Sequence, residues 1–169
     1  LVAMAVIVFA LHDLGTIAYR AGDYTGAESW FDRALAIRQA DFGPDSVEVA
    51  NTIEAKGNAE LAMDQLGPAQ AHFAQAIHLL EARLGPDNPD VANAYNDIGG
   101  AYHRAGHYEE ALANAEKVLA LREKALGPDH PDVAQSLVNE AIEQQALRFG
   151  GIDEAVGGTQ ALYRWQIPD

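Results

Sequence analysis

The chain contains no cysteine among its 169 residues, and this absence rules out several kinds of chemistry. Without cysteine there are no disulfide cross-links and no thiolate nucleophile, and a zinc site would depend on histidine and carboxylate ligands alone. A reducing compartment suits such a composition, so we predict a cytoplasmic protein.

Positive charge is scarce as well. The sequence has 11 lysine and arginine residues against 25 aspartate and glutamate residues, which gives a formal net charge of -14. A surface of this sign repels phosphate backbones and anionic lipid headgroups. We therefore predict that the partners include neither nucleic acid nor membrane.

The start of the chain is a run without polar side chains, but the run is short. Residues 1–11 read LVAMAVIVFAL, whereas about twenty apolar residues are needed to cross a bilayer. We interpret this run as the beginning of a first helix with an apolar exterior. The alternative is that this surface meets another repeat, another domain or a second copy of the chain. The chain does not begin with methionine, which predicts a fragment of a longer protein.

The sequence repeats itself at a spacing of forty-two residues. The positions that keep this spacing are Gly43-Pro44-Asp45, Gly85-Pro86-Asp87 and Gly127-Pro128-Asp129, then Val49-Ala50, Val91-Ala92 and Val133-Ala134, then Gly15, Gly57 and Gly99. A period of this length predicts a stacked array of similar units rather than a closed globule. A chain of this length holds about four such units.

Small and aromatic residues at fixed offsets characterise each unit. They are Leu14, Gly15, Ala27, Phe31 and Ala34 in the first unit, Gly57, Ala69, Phe73 and Ala76 in the second, and Ile98, Gly99, Tyr102, Gly106, Tyr108 and Ala111 in the third. This pattern resembles the tetratricopeptide repeat, in the long form found in kinesin light chains and in many bacterial proteins. The resemblance implies an all-α fold, a right-handed superhelix (solenoid) of about four antiparallel helix pairs.

A single domain over residues 1–169 is expected, with repeats at about 7–46, 47–88, 89–130 and 131–165. The fourth repeat is degenerate, because Ala141 stands in the glycine position and its second helix contains Gly157 and Gly158. We expect that second helix to be the least stable element of the array.

The ends of the helices can be predicted from turn and cap residues. Asn88 is a good N-cap and is followed by proline, which suits the first turn, and Ser46 and His130 occupy the same position in other repeats. In the third repeat a second helix is predicted over Tyr108–Leu126, ended by Gly127. The glycine repeated inside each first helix is unfavourable there by about 1 kcal/mol relative to alanine. We predict that it lets two helices approach closely. The alanines expected opposite are Ala27, Ala69 and Ala111.

The resemblance also implies where a partner would bind. In this family the first helix of each pair lines the concave side of the superhelix, which takes extended or helical peptides. Carried over to this sequence, the principal groove positions are His12, Thr16, Tyr19, Arg20, Asn51, Glu54, Asn58, Asn93, Asn96, His103 and Arg104. Further positions are Phe9, Leu61, Ala62, Asp97, Gln135, Val138, Asn139 and Gln145.

Asparagine is frequent at these groove positions. The two central first helices contribute Asn51, Asn58, Asn93 and Asn96. A side-chain amide both donates and accepts a hydrogen bond, so it can pair with the backbone of an extended peptide without requiring a particular side chain. The alternative is that these residues are simply solvated on an exposed helix face.

The charges expected in the groove nearly cancel. Glu54 and Asp97 are acidic while Arg20 and Arg104 are basic, so most of the negative charge lies elsewhere. This composition does not predict a groove dedicated to basic peptides. It also lacks the dense lysine or arginine cluster that captures acidic motifs.

Polar residues stand at two positions where the family buries a side chain. Lys56 and Glu60 occupy them in the second repeat, Ile98 and Tyr102 in the third, and Glu140 and Gln144 in the fourth. Lys56 and Glu60 are four residues apart on one helix, so they are predicted to pair. Either the repeat packing is loosened there, or a polar pocket lies between the first and third repeats.

The sequence shows no catalytic or metal-binding arrangement. His103 and His107 need not share a helix face, because His107 lies in a predicted turn, and His72 and His78 point in different directions. No set of nucleophile, base and orienting acid can be assembled from the spacing. We predict a protein that is not an enzyme, with no cofactor and no metal.

The predicted function is protein–protein interaction, with a peptide or partner segment held along the concave face. One alternative is an architectural role, in which residues 1–11 or the C-terminal helix join copies of the chain into a homo-oligomer. Another is a regulatory tetratricopeptide segment of a larger signalling protein. This scaffold carries many unrelated binding roles, so the identity of the partner is not predicted.

Overall fold

The computed structural model describes the backbone of residues 2–149 and the side chains of residues 10–149. This part of the chain forms seven α-helices and no strand, which confirms the all-α prediction. The helices are α1 (Val2–Arg20), α2 (Tyr24–Phe42), α3 (Val47–Ala62), α4 (Leu66–Leu84), α5 (Pro89–Arg104), α6 (Tyr108–Leu126) and α7 (Pro131–Phe149). None of these seven helices is long and apolar enough to cross a membrane.

The helices stack as antiparallel pairs in chain order. The pairs are α1 with α2, α3 with α4 and α5 with α6, and each second helix also packs against the first helix of the next pair. The first helices α1, α3 and α5 touch one another in sequence, so they share one side of the array. This is the superhelix that the repeat predicts, since each unit contacts only its neighbours.

The buried side chains recur at the repeat spacing. Val49, Val91 and Val133 hold the same position in three successive first helices, and each is at most 1 % exposed. Phe31 and Phe73 fill the equivalent place between the helices of the first and second pairs. Because the same positions are buried in each unit, burial of apolar surface holds the pairs in a regular stack.

The predicted helix ends are present. Ser46 and Asn88 accept backbone N–H hydrogen bonds at 3.3 and 2.9 Å, and His130 accepts one through Nδ1 at 3.2 Å. The predicted second helix of the third repeat is α6, with the expected bounds, and Gly127 follows it with a φ of 83°. The three cap residues therefore give partners to backbone N–H groups that each first helix would otherwise leave unpaired.

The glycine inside each first helix meets different neighbours in different repeats. A Cβ atom at Gly57 would lie 2.8 Å from the Phe73 ring, and one at Gly15 would meet the equivalent ring at 2.5 Å. At Gly99 the nearest atoms would be Cβ of Asn114, at 3.4 Å, and the carbonyl oxygen of Ala111, the alanine predicted opposite, at 3.9 Å. The predicted close approach thus exists in the first two repeats, where a phenylalanine ring makes it. The alanines expected to make it, Ala27, Ala69 and Ala111, are buried as well.

The predicted pairing of Lys56 with Glu60 is wrong. Nζ of Lys56 lies 2.6 Å from Oδ1 of Asp32 on α2, whereas Oε2 of Glu60 lies 2.6 Å from Nδ1 of His72 on α4. Each side chain finds its partner on a neighbouring second helix, which spacing along α3 cannot show. In the fourth repeat the corresponding residues do bond, since Gln144 donates to Glu140 at 2.7 Å.

Two predictions concern residues outside the described part. The predicted second helix of the fourth repeat lies beyond residue 149, and the apolar exterior at the start of the chain depends on side chains of residues 1–9.

Candidate functional site

A groove opens on the side of the array that the first helices form. It encloses about 590 Å³, and its walls come from α1, α3 and α5 with one side chain from α6. The lining residues, which define the groove from here on, are Tyr19, Asn51, Glu54, Ala55, Asn58, Leu61, Ala62, Asp90, Asn93, Asn96, Asp97, Gly100, Arg104 and Arg122. The groove therefore joins three successive repeats.

Most of the principal positions predicted from the sequence lie in this groove. They are Tyr19, Asn51, Glu54, Asn58, Asn93, Asn96 and Arg104. The further positions Leu61, Ala62 and Asp97 also line it. The principal positions outside the lining are His12, Thr16, Arg20 and His103.

His12 and Thr16 contact their own repeat instead. The His12 ring lies 5.4 Å from the Phe31 ring, and its Nδ1 lies 3.4 Å from Nη1 of Arg38. Burial, followed by the charge of Arg38, lowers the pKa of His12 to about 4, so this ring is neutral at physiological pH. Thr16 donates to the His12 carbonyl at 3.1 Å, and Arg20 is exposed at the end of α1.

His103 belongs to the contact between the third and fourth repeats. Its Nδ1 lies 2.8 Å from Oε2 of Glu143, which is only 4 % exposed, and its ring packs edge-on against Tyr108 at 5.4 Å. Glu143 was not predicted to be buried. It stands in the position that Ala101 holds in the third repeat, so a glutamate at an alanine position was the available signal.

Three of the four groove asparagines are held in place by the chain and still offer polar atoms. Asn58 Nδ2 donates to Asp97 Oδ2 at 2.9 Å, Asn139 Nδ2 donates to Asn96 Oδ1 at 3.2 Å, and Arg122 Nη2 donates to Asn93 Oδ1 at 3.1 Å. Within residues 10–149 the other amide atom of Asn58, Asn93 and Asn96 forms no hydrogen bond. Each amide is thus oriented and keeps a donor or an acceptor for a further partner.

The positions predicted on α7 lie outside the groove lining. Gln135 donates to Asn139 at 3.0 Å, and through Asn139 this pair reaches the edge of the groove at Asn96. Val138 is 45 % exposed, and Gln145 lies outside the lining as well. The side chain of Phe9 falls outside the described residues.

Three carboxyl groups line the groove, on Glu54, Asp90 and Asp97. Burial, followed by the charges of Asp97 and Asp90, raises the pKa of Glu54 to about 8. Burial also raises the pKa of Asp97 to about 6, against the opposing effects of the Asn58 hydrogen bond and the Arg122 charge. Glu54 therefore carries its proton at neutral pH. No group of three or more such side chains within residues 10–149 is placed to hold a metal ion.

Both groove arginines are already bound by the chain. Arg104 donates to the Leu61 carbonyl and, at 2.8 Å, to Oδ1 of Asp64. Arg122 donates to Oγ of Ser136 at 3.0 Å in addition to its bond with Asn93. The positive charge in the groove is thus paired within the protein, which lowers its availability to a partner.

The nearly neutral groove predicted from the sequence differs from the groove observed. Arg20 lies outside the lining, while Asp90 and Arg122 belong to it, so three carboxyl groups face two guanidinium groups. Asp90 lies in the first turn of α5, and Arg122 reaches in from the second helix of the pair. Neither position belongs to the concave set carried over from the family.

An arginine that bridges a second helix to the first helix of the next pair occurs twice in the array. Arg122 bonds to Ser136 and to a carbonyl in the first turn of α7, and Arg38 bonds in the same way to Thr52 and to a carbonyl in the first turn of α3. The two arginines are two repeats apart, and each hydroxyl follows its arginine by fourteen residues. That pairing was the signal by which the sequence could have located Arg122.

Comparisons with known proteins agree with this architecture. Two family models, both described as tetratricopeptide repeat, match the sequence, one over residues 7–82 and the other over residues 91–132. Together they cover more than half of the chain. No curated protein matches it.

Several solved structures share the fold. BtubC (BKLC) from P. vanneervenii is 20% identical with a TM-score of 0.77, and the match covers 96% of this chain and 66% of BtubC. A Podosopora anserina protein of nearly identical TPR-like repeats, which carries a kinesin light chain name, is 21% identical with a TM-score of 0.75, over 85% of this chain and 67% of its own. A point variant of that protein is 19% identical with a TM-score of 0.73, and the match covers the same fractions of the two chains. The chain spans about two thirds of the length of each, and at this identity the likeness establishes the fold.

Proposed function

Because the chain belongs to the tetratricopeptide repeat family, we propose that it is a protein-interaction module that holds an extended segment of another protein in its groove. Repeats of this family generally mediate contacts between proteins, and stacked repeats offer long concave surfaces for this purpose. The observation that carries the proposal is the groove itself, which joins three repeats and is lined by oriented side-chain amides.

The amides suit the backbone of an extended guest. A buried backbone N–H or C=O group without a hydrogen bond is unfavourable, so a groove for an extended segment must supply both donors and acceptors. Asn58 keeps its acceptor oxygen, whereas Asn93 and Asn96 keep their donor nitrogens. Tyr19 and Leu61 add apolar surface beside them. This combination favours a peptide over a small charged metabolite.

A peptide-array screen tests the proposal. The wild-type chain is compared with an Asn93→Ala, Asn96→Ala double variant, and retention of each peptide is measured. Each lost hydrogen bond contributes about 0.5–1.5 kcal/mol, so we expect peptides to bind the double variant roughly tenfold more weakly. Equal retention of every peptide by the two proteins would refute an amide-lined groove as the binding site.

The matched control is Gln75→Ala, which removes an exposed amide from α4 outside the groove. This variant should retain peptides as the wild type does. Thermal melting of all three proteins shows whether lost retention comes from the groove or from unfolding, since Asn93 and Asn96 also hold Arg122 and Asn139.

End-on self-association is a second candidate, and one observation favours it. Ile17 on α1 is 63 % exposed, whereas Ala59 and Ala101, which hold the same position on α3 and α5, are fully buried. Ala59 packs against Ala27 and Phe31 of the preceding pair. The equivalent position of α1 therefore presents an exposed apolar side chain, which a helix of a second copy could cover. Light scattering of wild type and Ile17→Glu tests this: self-association predicts a dimer that the substitution dissociates, and a monomeric wild type removes the candidate.

A binding role rather than a catalytic one and a cytoplasmic location are further parts of this proposal, and a regulatory segment of a larger signalling protein is an alternative to it. They rest on composition, on the absence of a catalytic motif in the sequence and on the family.

A further inference from the structure

In the groove, the acidic groups form fewer hydrogen bonds with the protein than the basic groups do. Within residues 10–149 the carboxyl groups of Glu54 and Asp90 form no hydrogen bond or ion pair, and Asp97 accepts one hydrogen bond, from Asn58. Arg104 and Arg122 each donate to at least two acceptors of the protein itself. A guest in the groove therefore meets unpaired carboxyl groups and paired guanidinium groups.

From this complementarity we propose that the segment held in the groove inserts a lysine or arginine side chain between Glu54 and Asp97. The inference rests on the function proposed above and adds the chemical class of the partner, a segment with a basic residue at a fixed position.

A basic side chain complements the carboxyl groups of the groove in charge, whereas neutral and acidic side chains do not. Its ammonium or guanidinium group would donate to Glu54 and to the second oxygen of Asp97, and such charge-assisted bonds are stronger than neutral ones. An acidic side chain would add a fourth carboxyl group to the three already present. Tyr19 and Leu61 line the same groove and can cover the aliphatic stem of a long basic side chain. The net charge of -14 also attracts a basic partner from a distance.

Binding of a cation should release a proton. The other charged or titratable groups that line the groove with Glu54 are Asp90, Asp97 and Arg104 on α5, Arg122 on α6 and Tyr19 on α1. In the free protein burial and the neighbouring carboxyl groups raise the pKa of Glu54 to about 8, so it is protonated at neutral pH. A cation favours the ionised form. Affinity should therefore rise with pH between about 6 and 8, by up to about tenfold per pH unit for one proton released.

The experiment begins with a display library of random dodecapeptides, selected on the full chain at pH 8. Selected peptides are labelled with fluorescein, and their Kd values are measured by anisotropy with wild type, Glu54→Gln and Glu116→Gln. Glu116 lies on α6 outside the groove, so its variant makes the same glutamate-to-glutamine change without touching the site.

We expect the selected peptides to share one lysine or arginine. Replacing it by glutamine, or introducing Glu54→Gln, should each weaken binding at least fivefold, whereas Glu116→Gln should change it less than twofold. The two changes together should weaken binding little more than either alone, because they remove the same interaction. Asp90→Asn gives a second test that does not depend on the folding of Glu54→Gln, since it should weaken binding in the same direction.

Four results would contradict the inference. Selected peptides without a shared basic residue, or basic peptides that bind Glu54→Gln and Asp90→Asn as tightly as wild type, contradict it and leave the proposed function standing. An affinity that does not change from pH 6 to pH 8 contradicts the release of a proton from Glu54. Failure to select any peptide would refute the proposed function, and this inference with it.

Discussion

Two glutamates six residues apart on α3 occupy opposite kinds of site. Glu60 faces α4, is 2 % exposed and lies 2.6 Å from Nδ1 of His72. Glu54 faces the groove, where burial and the charge of Asp97 raise its pKa and no side chain within residues 10–149 bonds to it. The fold satisfies the first carboxyl group, and on our account a partner satisfies the second.

This difference separates structural polar residues from candidate binding residues. The third repeat has Tyr102 and Asn114 at the positions of Glu60 and His72. The two repeats therefore place different pairs of side chains at the same contact between helices. A polar residue is structural where the adjacent helix supplies its partner. It is a candidate binding residue where it lines a groove and the chain supplies none.

The largest change in stability should come from removing the hydrogen-bond partner of Glu60. His72→Ala leaves the nearly buried Glu60 carboxyl group without its hydrogen-bond partner, which should lower the free energy of unfolding by about 2–4 kcal/mol. Urea unfolding measures this change. His78→Ala, an exposed histidine on the same helix, is the matched control and should change stability by less than about 0.5 kcal/mol. Combining His72→Ala with Glu60→Leu should recover most of the loss, and no recovery would mean that the carboxyl group was not its cause.

A smaller effect should come from filling the glycine positions. Gly57→Ala places a Cβ 2.8 Å from the Phe73 ring, so the overpacked pair should lose about 1–3 kcal/mol of stability. Gly99→Ala meets the Asn114 Cβ at 3.4 Å and the Ala111 carbonyl oxygen at 3.9 Å, which are ordinary contacts, and it should be neutral or stabilise by up to about 1 kcal/mol through helix propensity. Urea unfolding of the two variants checks the contrast. Similar losses at both positions would contradict the role of the aromatic ring.

The smallest change in stability, an increase rather than a decrease, should come from substituting Glu54. The folded pKa of Glu54, about 8, is raised above its ordinary value of 4.5, so between these values the folded state binds a proton that the unfolded state releases. The free energy of unfolding should therefore fall as pH rises across this window. Glu54→Gln should remove much of the fall and raise stability at pH 9 by about 1–2 kcal/mol. Stability curves from pH 5 to 9 that are parallel for the two proteins would contradict the raised pKa.

The array could be predicted from the sequence because its signals are local and repeated. The cap residues Ser46, Asn88 and His130 and the bounds of α6 follow from short-range turn chemistry, and the forty-two-residue spacing shows the stacking. Most groove positions followed as well, since a position on a first helix keeps its direction from one repeat to the next.

Contacts between helices could not be predicted in the same way. Lys56 bonds to a residue twenty-four positions earlier, and Arg122 reaches Asn93 twenty-nine positions earlier, so neither contact appears as a spacing along one helix. The charge of the groove depended on these contacts. Counting the charged residues predicted a nearly neutral groove. The hydrogen bonds show that the arginines are paired and that, within residues 10–149, Glu54 is not.

The central claim is that another polypeptide lies in the groove, and a cross-linking measurement tests it most directly. Because the chain has no cysteine, one can be introduced for a photoreactive label, either in the groove (Asn51→Cys) or on the exposed face of α4 (Gln75→Cys). With a selected dodecapeptide bound, the account predicts that the peptide cross-links to the label at position 51 and not to the label at position 75. Equal cross-linking at both positions, or cross-linking at position 75 alone, would contradict it.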